Sequence, residues 1–495
     1  MADVPITDFG AVADGETLCT SSIQAAIDAA AETGGRVIVP AGVFRSGTIN
    51  LRSHVTLHLS EGATLLGSEN LDDYEFARGW GWPHDEKKCD VTPWHFVQAF
   101  DAEHVAITGP GTIAGSGRAF WSDDRPHEWA FWKHIDNQRP APMVHLENCS
   151  HVTVCDVMLR DSPGWCLHLT RCRTARVSGV TIRNTFFGPN SDGMDIHNCS
   201  GVRISDCDVA TGDDAIALMS SRHGGPSEDI TITNCVLRTS CVGVRLIGFD
   251  ADGLHRRVAV SNCAIPRCAY LFDLRSQMGS RIENVTISNC VGATNSGWPI
   301  NRAIQVAAID HLNPHSTDHN PTGQGGHVRD VTFRDIDITT DGRVILAASA
   351  PHCIEDIRFD GLRMNYVLIE NTRAFEQAHP DGSWLDGDHL DVRSAQAAIV
   401  AKDVRNLDVA GLSVRWPEYP VPDEWRVLKS DQRFINAPFY EGNEEAIRTG
   451  RKRGEFALLW GKGLEGGCIE LPNAQGSEGG PATVLDECTC EISHQ

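Results

Sequence analysis

The sequence predicts an all-β solenoid, a parallel β-helix closed at its N-terminal end by a helix, and three observations predict it. Short β-branched segments recur along the chain: "VTV" at 152, "ARV" at 175, "VRI" at 202, "ITI" at 230, "VAV" at 258, "VTI" at 285, "VTF" at 331, "IRF" at 357 and "LDV" at 407. Three residues after the end of each stands one apolar or thiol residue, forming a column of Val157, Val180, Cys207, Cys235, Cys263, Cys290, Ile336, Leu362 and Leu412. The intervals along it are 23, 27, 28, 28, 27, 46, 26 and 50, and no helical periodicity intervenes. A self-similar period in the twenties marks a stack in which each coil covers its neighbour's apolar face. Period-two, β-branched segments make the coils β rather than leucine-rich α/β. The two long intervals are double steps, or single steps with a loop inserted.

The elements follow in order. Ser21 to Thr33, "SSIQAAIDAAAET", sets Ile23, Ala26, Ile27 and Ala30 at helical spacing, which predicts an amphipathic helix over the first coil. Two insertions between early coils crowd Trp80, Trp82, Trp94, Trp121, Trp129 and Trp132. Such aromatics either stack on sugar rings or anchor the loop to the coils, and Trp80 and Trp82 are the candidate sugar contacts. In the column, cysteine trades places with Val, Ile and Leu, so it reads as a small buried hydrophobe rather than a metal ligand. In "HLNPHSTDH", His311, His315 and His319 recur every four residues, but Pro and Asn argue against the helix that would align them. Beyond about Trp416, "WPEYPVPDEW" breaks the rhythm. Residues 1–415 therefore read as the β-helix domain and 416–495 as a tail that packs on the helix or extends it.

Charge limits the partners. With 43 Lys and Arg against 66 Asp and Glu, the formal charge of −23 repels nucleic acid and anionic membrane surfaces. No apolar run approaches the roughly 18 residues of a membrane helix, and "MADVPITDFGAV" lacks the basic start and apolar core of a secretory signal. The chain reads as cytoplasmic, which reduced thiols favour, or as secreted with its leader absent.

Two acidic clusters beside glycines carry the chemistry: "PNSDGMD" at Pro189 to Asp195 and "TGDDAIAL" at Thr211 to Leu218. Asp192 and Asp213 are 21 positions apart, close to one coil, and one coil lifts a β-helix by about 4.8 Å. The clusters should therefore occupy neighbouring rungs. Like charges at that range raise one another's pKa, which predicts that one acid keeps its proton near neutral pH. Glycoside hydrolysis needs that division of labour, and one coil plus a lateral offset suits the roughly 6.5–9.5 Å separation of an inverting site. From spacing alone, a calcium site or a set of turn-capping aspartates fits as well.

The motifs "FGAVADG", "GGRVIVPAGVF", "HVTLHLSEGATLLGS", "GPGTIAGSG", "NSDGMDI" and "TGDDAIAL" resemble, in order, the landmarks of the polygalacturonase family, family 28 of the glycoside hydrolases, over roughly residues 5 to 300. The resemblance implies a right-handed parallel β-helix that hydrolyses pectic polysaccharides with inversion, with a carbohydrate as partner and no metal or cofactor. By position it makes Asp213 the general acid and Asp192 and Asp214 the pair that activates water. Asn190 and Asp195 lie in the same motif and would orient this set, or form the turn and a corner of the coil. Two departures from the family's pattern follow. Cys241 stands where a catalytic-coil histidine is expected, while His223 in "SRHGG" lies in the preceding loop. In "AYLFDLRS", Asp273 and Arg275 take the places of the arginine and lysine of an Arg-Ile-Lys; Arg275 would hold a substrate carboxylate and Asp273 would repel one. Arg245 shares a strand face with Cys241 and is a further substrate contact. A carbohydrate-binding β-helix without catalysis, and a lyase or epimerase, remain alternatives to the hydrolase.

Overall fold

The computed structural model describes residues 2–77, 92–126, 133–134, 138–186, 188–221, 224–295, 302–310, 325–367, 392, 395–417, 456–472 and 475–494. The chain divides into two compact units, Met1–Leu218 with Gly224–Val236, and Met219–His223 with Leu237–Gln495. Parallel strands build both, and the fold is a parallel β-helix.

In the first unit one coil consists of Ser150–Cys155, Met158–Arg160 and Leu167–Thr170. The next, Arg173–Ser178, Thr181–Arg183 and Met194–His197, lies on it in register, pairing Val154 with Val177, Leu159 with Ile182 and Leu167 with Met194. Alternate side chains point inward, so Val154, Val177 and Ile204 stack into one buried column and Leu159, Ile182 and Val209 into another.

Each residue of the column seen in the sequence follows a corner. The residue before it adopts the left-handed conformation throughout: Asp156, Gly179, Asp206, Asn234, Asn262, Asn289, Asp335, Gly361 and Gly411 all have φ between 51° and 78°. Asn, Asp and Gly tolerate that region at least cost. The thiols after the corner use it: Cys207, Cys235, Cys263 and Cys290 each donate to the carbonyl two residues back, at 3.2–3.3 Å. All four are buried.

The cap is the helix Thr20–Ala31, which buries Ile23, Ala26, Ile27 and Ala30. Its Gln24 side chain donates to the Asn50 carbonyl at 3.0 Å and accepts from the Asn50 amide at 2.9 Å, satisfying a strand edge that a solenoid end otherwise leaves open.

In the second unit, strands Val242–Gly248, Tyr270–Gln277, Arg302–Ile309, Arg343–Ala348, Ala397–Lys402, Ala457–Lys462 and Thr483–Asp486 pair successively in parallel. Val291 lies beside Asp337 and Arg363 beside Ser413. Both long intervals of the sequence column are therefore single coils carrying insertions. Past residue 455 the chain resumes as strands of the same two stacks, with Cys468–Leu471 registered on Glu491–His494.

Candidate active site

The three acids belong to the first unit. The Gly193 amide donates to the Asp214 carbonyl at 2.8 Å and the Met194 amide to the Ala215 carbonyl at 3.1 Å. The turn bearing Asp192 therefore lies one rung from the turn bearing Asp213 and Asp214. All three side chains are almost buried, at 5%, 6% and 3% exposure. The Asp214 amide donates to Asp213 Oδ1 at 3.0 Å, which limits how that carboxyl can turn.

Glycine lets these turns close. A Cβ on Gly212 would fall 2.6 Å from Ser191 Oγ and 2.8 Å from the Thr185 carbonyl, and one on Gly193 would fall 2.4 Å from the Ala215 carbonyl. The fully buried Arg139 donates to the carbonyls of Pro163 at 2.8 Å and Pro189 at 2.7 Å, tying together the approaches to two successive turns. Asn190, half-buried, adopts a left-handed backbone (φ 45°) and forms the turn that delivers Asp192. Asp195 is no corner residue: it is fully buried within the strand Met194–His197.

A polar column leads away from Asp195 along one strand face. Its members, one per rung, are Asn50, Gln98, His145, His168 and Asp195. Gln98 is 3% exposed and both histidines are fully buried. Burial pulls His145 below its usual pKa, although Glu147 at 3.1 Å opposes it, and burial with the neighbouring His145 pushes His168 far down. Both rings are then neutral. His145 donates from Nε2 to Glu147, so its Nδ1 accepts from His168 Nδ1 at 3.0 Å. Sequence reasoning missed this column because its members are separated by uneven intervals and read singly as surface polar residues.

The second unit holds Cys241, Arg245, Asp273 and Arg275. Asp273 is fully buried and accepts from Arg275 at 2.7 Å, Arg245 at 3.1 Å and Gln305 Nε2 at 3.3 Å. It therefore does not stand as the uncompensated negative charge that the sequence suggested, because two guanidinium groups converge on one of its oxygens. Arg275 is 2% exposed, whereas the Arg245 side chain keeps 19%. Cys241 is buried, its amide donating to Thr239 Oγ1 at 2.9 Å. Trp121 is a loop anchor, buried with its indole N–H on the Pro163 carbonyl at 2.8 Å, and Trp94 packs edge-on against Phe76. Trp80, Trp82, Trp129, Trp132, His223, His311, His315 and His319 lie outside the described residues.

The sequence model of the family described as glycosyl hydrolases family 28 matches residues 31–381. The chain belongs to that family. It is 29% identical over 262 residues to a probable polygalacturonase of Vitis vinifera, covering 50% of this chain and 52% of the relative. It is 30% identical over 304 residues to an exo-poly-alpha-D-galacturonosidase of Dickeya chrysanthemi, covering 52% and 50%. The chain thus spans about half the length of these curated relatives. Among solved structures, an exopolygalacturonase from Thermotoga maritima superposes with a TM-score of 0.59 at 19% identity, covering 84% of this chain and 92% of that one. An exopolygalacturonase of Yersinia enterocolitica gives 0.57 at 20% identity, covering 84% and 76%. Both share the fold. In this family 28 chain Asp192, Asp213 and Asp214 lie on two stacked turns of the first unit, while the second unit holds the buried Cys241 and the Asp273–Arg275–Arg245 cluster.

Proposed function

We propose that the chain is an inverting glycoside hydrolase acting on pectin-type glycans that contain uronic acid or rhamnose. Asp213 protonates the leaving oxygen, and Asp192 and Asp214 activate the attacking water. One observation carries this reading: the main-chain bond from Gly193 to Asp214 brings three nearly buried carboxyls onto adjacent rungs. The reading requires one of them to hold a proton, which the mutual repulsion of carboxylates in a poorly solvated space favours. Family membership and the polygalacturonase names of its relatives support the substrate class.

The buried column Gln98–His145–His168 favours action from a chain end. On this reading the polymer's track stops near Asp195, because His168 and His145 on the rungs before it are fully covered while the acids keep 3–6% exposure.

The test is incubation with a panel of pectic glycans, following the first product by proton NMR. An anomer inverted relative to the cleaved linkage is expected, with reducing ends accumulating well before viscosity falls. Tight glycan binding without any product over long incubation would replace this reading with that of a carbohydrate-binding β-helix.

A further inference from the structure

Two side chains outside the acid set join the acid-bearing turns directly. Ser191 is fully buried; its Oγ donates to the Gly188 carbonyl at 3.0 Å and accepts from the Gly212 amide at 3.2 Å. Thr211, also fully buried, donates from Oγ1 to the Ser191 carbonyl. The same Oγ1 accepts from Asn184 Nδ2 at 3.2 Å, and Asn184 Oδ1 in turn accepts from the Ser162 amide at 3.0 Å. These bonds join Ser191, which precedes Asp192, to Thr211 and Gly212, which precede Asp213. Just past the acids the same two turns are joined by main-chain bonds from Gly193 to Asp214 and from Met194 to Ala215, and the hydroxyls add the link just before them.

We propose that Ser191 and Thr211 are positioning residues that set the separation between the Asp192 and Asp213 carboxyls. This rests on the assignment of those aspartates to the reaction. Neither hydroxyl touches substrate; each acts through the acid beside it. A displacement of about 1 Å between reacting groups costs on the order of 10²-fold in rate, so small slippage of one turn against the other is enough to matter.

Two substitutions at one site separate positioning from packing. Thr211→Val keeps the volume and removes the hydroxyl, whereas Thr211→Ser keeps the hydroxyl and removes a methyl. If Thr211 only fills space, Ser is the worse variant; if it positions the turn, Val is. The expected result on the cleaved pectic glycan is a kcat lowered by about 10- to 100-fold in Thr211→Val with KM little changed, and Thr211→Ser within a few-fold of the parent. Ser191→Ala should resemble Thr211→Val. A readout independent of turnover is the carbon-13 titration of aspartate carboxyls: Thr211→Val should alter the curves of Asp192 and Asp213, and Thr211→Ser should leave them in place. Parent-like kcat and titration curves in Thr211→Val and Ser191→Ala would overturn the proposal, even with Asp213 confirmed as essential. An active Asp213→Asn protein would instead remove the underlying assignment.

Discussion

His255 shows how a single buried ring ties stability to pH. Its Nε2 lies 2.9 Å from the Ile247 carbonyl, and burial pushes its pKa from 6.5 down to about 4. Below pH 6.5 the unfolded chain takes up a proton that the folded chain refuses, so the unfolded state binds more protons and stability falls with pH. The loss from this group is complete below about pH 4 and amounts to about 3 kcal/mol. Burial shifts His95, His145 and His168 the same way, so they add in the same direction. The urea midpoint should drop between pH 7 and pH 5, and drop less in His255→Gln; a midpoint equal at both pH values would contradict the neutral buried state. None of this was legible in the sequence, where a histidine in "GLHRRVAV" gives no sign of which neighbour covers it. The pairing of Asp273 with two arginines was hidden for a similar reason. Arg245 and Asp273 are 28 positions apart, and only the coil register makes them neighbours.

At the scale of the element, the corner residue decides where each coil turns. Asn262 sits at φ 56° immediately before the buried Cys263. Asn262→Gly should leave the melting temperature nearly unchanged, whereas Asn262→Val should cost about 1–3 kcal/mol, because a β-branched side chain in the left-handed region meets its own backbone. Equal stability of the two variants in urea melts would show that the corner does not hold the turn. The apolar column itself was readable, since a buried position repeating every coil tolerates few residue types. The Asn, Asp or Gly before it was present in the sequence as well, yet turn propensity alone does not reveal that one residue per coil is left-handed. The capping helix was readable from its spacing, with its ends moved to Thr20 and Ala31. The insertions were visible only as irregular intervals, which register resolved into single coils.

At the scale of the whole molecule, the solenoid lets a chain with a formal charge of −23 gather acids from separate coils. Coils bring Asp192 beside Asp213 and Asp214, and both glycines and hydroxyls hold the two turns together. The motifs and their one-coil spacing were legible from the sequence; the buried polar column was not, because only the coil register brings its members together. The central claim is that Asp213 donates the proton that breaks the glycosidic bond. Its most direct test is the turnover of Asp213→Asn on the glycan cleaved by the parent, measured beside a melting curve. The expected result is a rate reduced about 10²- to 10⁴-fold with an unchanged melting transition; an amide variant that turns over at the parent rate would contradict it.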